Sequence, residues 1–104
     1  YYPQMILNLI MKNKSYLING KRYRLEHITL KGKNNGYCDP PFKKGKKIII
    51  HKRRNWKSSK RLLEDYIHEL LHACSWDLTE EWVEESAHSI MNVLWDQGYR
   101  IVID

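Results

Sequence analysis

The chain has 104 residues, 42% of them hydrophobic and 12% aromatic, which suits one domain spanning 1–104 and excludes a disordered tail. Its formal charge of +6 is unevenly spread: residues 1–61 hold 17 of the 18 Lys/Arg and two acids, a net of +15, while residues 62–104 hold one base and ten acids, a net of −9. No apolar run approaches the roughly 18–20 residues of a membrane span, and Cys38 and Cys74 make neither a disulfide scaffold nor a zinc finger.

Gln4 to Met11 reads as a short helix or strand, because Ile6, Leu7, Leu9 and Ile10 fit neither period. Tyr16-Leu17-Ile18 then meets Asn19-Gly20, a two-residue hairpin turn whose residues must both take positive φ. Lys21 to Ile28 returns as a second strand with Tyr23, Leu25 and His27 on one face. Lys31 to Asn35 reads as a loop. Tyr37-Cys38 reads as a short strand stopped by Pro40-Pro41, and Lys43-Lys44-Gly45 as a turn. Lys47 to His51 is the clearest strand, since Ile48, Ile49 and Ile50 are all β-branched. Its flanks, Lys46-Lys47 and Lys52-Arg53-Arg54, are the charges expected around an edge strand.

From residue 58 the period changes. Ser58 or Ser59 can cap a helix reaching about Trp76, with Leu62, Leu63, Tyr66, Ile67, Leu70, Leu71 and Cys74 at helical spacing. Thr79 can cap the next helix, with Glu80 and Glu81 in its first turn, where the dipole favours acids. Val83, Ala87, Ile90 and Leu94 form its apolar stripe, Gly98 ends it, and Tyr99 to Ile103 reads as a last strand. Strands, two helices and a strand make an α+β domain: a short twisted sheet, a motif helix and a second ligand-bearing helix.

The chemistry lies in His68-Glu69-Leu70-Leu71-His72, an HExxH sequence on the first long helix. Positions i and i+4 of a helix lie one above the other, so the two imidazoles can share one zinc ion. Glu69 sits beside them, where a carboxylate can take a proton from water. Zinc in such sites needs a third protein ligand. Ser75 and Leu78 stand where an HExxHxxGxxH pattern would need Gly and His, so the ligand is sought on the next helix. On its wheel Glu84 lies about 60° from the stripe centre and Glu80 about 20°, but Glu80 is in the fraying first turn; Glu85 and Glu81 are about 160° and 120° away. Glu84 is therefore the expected third ligand, with Glu80 and His88 as the alternatives.

In these residues the chain resembles the zincin metallopeptidases, and within them the gluzincin type, in which a downstream helix supplies a Glu ligand. It is similar in pattern to small phage-encoded metallopeptidases and to SprT-like and ImmA-like proteins, over roughly residues 46–95. The resemblance implies a zinc-dependent endopeptidase with Zn²⁺ on His68, His72 and Glu84 and with Glu69 as general base. It also implies a protein or peptide substrate held by β-addition along Ile48, Ile49 and Ile50. His88, one turn beyond Glu84, could hold that ligand or stabilise an oxyanion, and Tyr99, Tyr66 and Tyr37 could donate to one. The alternative is a nucleic-acid-binding or regulatory module with structural or vestigial zinc. For nucleic acid, Lys43 to Arg61 supplies ten Lys/Arg, with Tyr23, Phe42 and Trp56 for stacking. Free thiols point to a reducing, cytoplasmic location, and no membrane partner is expected.

Overall fold

The computed structural model describes residues 13–29, 36–52 and 60–101. Four strands, β1 (Lys14–Ile18), β2 (Lys21–Ile28), β3 (Gly36–Cys38) and β4 (Lys47–His51), are followed by helices α1 (Lys60–Cys74) and α2 (Glu80–Asp96). They form a single small α+β domain with a mixed sheet in the order β1-β2-β4-β3.

The hairpin forms where its turn chemistry demands. Asn19 at φ 46° and Gly20 at φ 79° give both central residues the positive φ that matches strand twist. The turn sets β1 antiparallel to β2 with Ile18 opposite Lys21. Asn19 has a second task, since its Nδ2 donates to the Cys74 carbonyl at 2.9 Å and satisfies one of the free carbonyls at the end of α1.

The core lies between the sheet and α1. Alternate residues of β2 and β4, namely Tyr23, Leu25, Ile48 and Ile50, pack with Cys38 of β3 and with Leu62 and Ala73 of α1. Removing about three side-chain methyl or methylene groups at Ile50, as in Ile→Ala, costs about 2–5 kcal/mol in sites of this kind. Tyr66 of α1 also packs here, and its hydroxyl bonds to His27 Nε2, tying α1 to β2.

The expected edge strand is an interior one. β4 pairs with β2 in parallel, Leu25 opposite Ile48, and with β3 antiparallel, Tyr37 opposite Ile49. Both of its edges are taken, so Ile48, Ile49 and Ile50 cannot bind a substrate by strand addition. All three are at most 1% exposed, so their side chains are not at a substrate surface either. A continuous β-branched run signals burial on both faces, and here that outweighs the flanking lysines.

The helices also differ in detail from their sequence patterns. The buried residues of α1 are Leu62, Asp65, Glu69 and Ala73, whereas Leu70 and Cys74, expected in the stripe, are exposed. α2 starts on Thr79, whose Oγ1 accepts from the Trp82 amide at 3.1 Å, and buries Val83, Ala87 and Met91 while Ile90 is exposed. It ends at Gly98, φ 94°, with the Gly98 amide bonded to the Trp95 carbonyl and the Tyr99 amide to the Leu94 carbonyl. This paired capping turns the chain away from the helix axis. Tyr99–Ile101 is consequently not a strand. Arg100 instead folds over the Trp95 ring at 3.5 Å and donates to the Trp95 carbonyl at 2.8 Å. The segment 4–11, the loop 31–35, the Ser58 or Ser59 cap and Val102 and Ile103 lie outside the described residues. No helix among the described residues is long and apolar enough to cross a membrane.

Candidate metal centre

The turn Ser75–Thr79 is short and closed, with the Ser75 amide on the Leu71 carbonyl at 3.1 Å and the Leu78 amide on the Ser75 carbonyl at 3.3 Å. The first turn of α2 is thereby laid against the last turns of α1. His68 and His72, one turn apart, face this junction with their Nε2 atoms 3.3 Å from each other. Glu80 spans both: Oε1 lies 2.7 Å from His68 Nε2, and Oε2 lies 3.0 Å from His72 Nε2.

Glu80, rather than Glu84, is therefore the carboxylate that the fold brings to the histidines. Glu84 is exposed and one helical turn further on, about 6 Å along the axis. Glu80 lies in the first turn of α2, as expected, but that turn is the one level with the two imidazoles. Thr79 caps α2 firmly, so Glu80 stands in an ordered turn. His88 is also apart from the site: its Nδ1 pairs with Glu64 Oε1 at 3.2 Å, in an exposed position. Tyr99 follows the far end of α2, roughly 25 Å from Glu80 along the helix, and is exposed.

Glu69 is buried beside the imidazoles. His68, Glu69 and His72 each offer a ligand atom, all within 4.8 Å of one another. Burial foremost, then the charges of Glu80 and Asp65, push the Glu69 carboxyl up to about 7 from an ordinary 4.5. The group faces a cavity of about 460 Å³ lined by Gly36, Tyr37 and Cys38 of β3, by His68, Glu69 and His72, and by Trp76, Leu78 and Glu80. Of the tyrosines considered as oxyanion donors, Tyr37 lines this cavity; Tyr66 and Tyr99 do not. Cys38 is held as a thiol, its pKa pushed up to about 12 by burial first and by the charge of Glu69 next.

β3, not β4, is the strand at the cavity, and it is one of the two edge strands of the described sheet, the other being β1. Its Gly36 lies at φ 143°, where a Cβ would meet the Ile49 carbonyl oxygen at 2.4 Å and Glu69 Cγ at 3.6 Å. Gly36 thus lets the cavity wall approach both β4 and the carboxylate. Gly36→Ala is expected to destabilise the protein by roughly 2–3 kcal/mol, read as a fall in Tm of about 10 °C or more; an unchanged Tm would contradict this packing.

The donor set suits a zinc ion. Tetrahedral zinc with ligands at 2.0–2.1 Å places donor atoms about 3.3 Å apart, which matches the separation of the two Nε2 atoms. Two imidazoles and one carboxylate are a set used where a coordination position stays open for chemistry. The carboxylate came from a position the HExxH spacing does not specify; its sequence signal was the Thr79 cap, which orders the turn that carries it. No model of a known protein family matches the chain, and neither a curated protein nor a solved structure matches it.

Proposed function

We propose that the protein is a zinc-dependent peptidase whose metal is held by His68, His72 and Glu80. The observation that supports this most is the convergence of the Glu80 carboxylate on both HExxH imidazoles. When bound there, zinc supplies a Lewis acid that polarises a carbonyl and lowers the pKa of water towards 7.

The chain's own groups do the rest. Glu69, one residue along the helix from His68 and open to the cavity, takes a proton from the attacking water and passes it to the leaving amine nitrogen. Its buried setting puts it near neutrality before metal is added, and a neighbouring cation favours the carboxylate form that can accept the proton. β3 offers an extended peptide its outer edge next to the cavity, unpaired among the described residues, a role that passes to it from β4. Trp76 and Leu78 give the cavity an apolar end for a side chain of the substrate.

The test is zinc content by atomic emission together with cleavage of denatured casein. The wild type is expected to carry about one equivalent of zinc, to cleave casein and to stop when a chelator removes the metal. Zinc well below one equivalent after metal loading, or a loaded protein that cuts nothing, would overturn the reading.

A further inference from the structure

We infer that the exposed end of the sheet face turned away from α1, where Arg22, Arg24 and Lys47 stand clear of the buried Ile49, carries a binding site for single-stranded nucleic acid, separate from the metal centre. The strand registers place Ser15, Arg24 and Lys47 side by side, because Arg24 lies opposite both Ser15 of β1 and Lys47 of β4. Arg22 is on the same face of β2, two residues from Arg24 and opposite Leu17, while the intervening Tyr23 points into the core. These residues, with Gly45 and Lys46, line a hollow of about 510 Å³.

Its charge is neutralised only in part among the described residues. Glu26 is the acid on this face, and it serves both Arg24 at 3.2 Å and Lys47 at 3.5 Å. Arg22 has no carboxylate partner among the described residues. Same-face residues of a strand are about 6.6 Å apart and neighbouring strands about 4.8 Å. Arg22, Arg24 and Lys47 thus stand at neighbouring positions on one face, where an extended phosphate backbone can meet them in turn.

The loop beside the hollow adds an aromatic group. Asp39 is buried, and its Oδ2 accepts from the Lys47 amide at 2.8 Å while its Oδ1 holds the Lys43 ammonium at 3.3 Å. The Lys43 amide closes the turn on the Pro40 carbonyl at 3.1 Å. This ordered loop displays Phe42, 83% exposed, three residues before Gly45 of the hollow. Cations on one face and an exposed ring on the adjoining loop are groups that can track a phosphate backbone and stack a base. A ring on one loop reaches a base face where bases are unpaired, which favours a single strand over a duplex.

The test is fluorescence anisotropy of a fluorescein-labelled 12-nucleotide DNA strand titrated with the whole chain at 50 and 200 mM NaCl. With about four phosphates neutralised, the logarithmic salt slope is expected near −2.8, so affinity falls about 50-fold between the two salts. The double substitution Arg22→Ala, Arg24→Ala is expected to halve that slope and to weaken binding at least tenfold at 50 mM NaCl. Phe42→Ala is expected to weaken binding at least fivefold with the slope unchanged. Lys60→Ala, Arg61→Ala at the start of α1 removes the same charge elsewhere and is expected to leave affinity within twofold. Circular dichroism checks that each variant is folded. Binding is expected to survive chelation, which separates this site from the metal centre. Absence of binding at 50 mM NaCl, equal loss in the Lys60, Arg61 control, loss on chelation, or equal competition by phosphatidylserine vesicles at matched charge would each overturn the inference.

Discussion

Substitution of Glu69 by Gln is expected to lower cleavage of quenched fluorescent peptides by about 10²–10⁴-fold while zinc stays near one equivalent. Gln has nearly the same shape and can keep the position that Glu69 occupies, 7% exposed beside the imidazoles. It cannot accept the proton of the attacking water. Activity within tenfold of the wild type would remove Glu69 from the chemistry; parallel loss of zinc and activity would assign it to holding metal. The chelated protein gives a second readout. There the folded state keeps the Glu69 proton to about pH 7, against an ordinary 4.5. Between those values the folded chain binds more protons than the unfolded one, so this group's contribution to stability is present below 4.5 and lost as pH rises through 7. The advantage of Glu69→Gln over the chelated wild type is therefore expected to grow by roughly 3 kcal/mol across that window. Denaturant titrations at pH 4.5 and 8 that show a constant difference would contradict it.

Glu80→Ala is expected to weaken zinc binding by more than about a hundredfold, measured by competition with a chromophoric chelator, and Glu84→Ala to change it by less than about twofold. Loss of an indirect partner of a metal ligand already costs 10–100-fold, and a direct ligand costs more. The asymmetry follows from Glu80 lying 2.7 and 3.0 Å from the two imidazoles while Glu84 is exposed one turn on. Both variants keep the Thr79 cap and so preserve the start of α2. The reverse order of effects would place the third ligand on Glu84 and remove the geometric basis for the centre described above.

The contrast between Glu80 and Glu84 also marks where sequence reasoning ran out. A wheel reports angle around one helix and says nothing of where a neighbouring helix lies along it. That offset depends on the Ser75–Thr79 turn, whose hydrogen bonds were not readable from residue types. The strand error has a similar origin. Ile48, Ile49 and Ile50 announced a strand, and their continuity signalled burial on both faces. The identity of the neighbours depended on β3 folding back along β4. Tyr99–Ile101 had strand composition, but the capping at Gly98 and the Arg100 contacts with Trp95 used its backbone otherwise.

The sequence by itself determined the local features: the Asn19-Gly20 hairpin, the extents of β2 and β4, the Thr79 and Gly98 helix ends, and the stacking of His68 on His72 with Glu69 beside them. Each depends on residues within about five positions, where φ preference, hydrogen-bonding side chains and the 3.6-residue period act directly. Tertiary structure decided which strand came to lie at the edge beside the cavity, which glutamate met the histidines, and which cations gathered on the outer face of the sheet. Those are distances between segments separated in the chain, and they are decided by packing and register, which no local preference encodes.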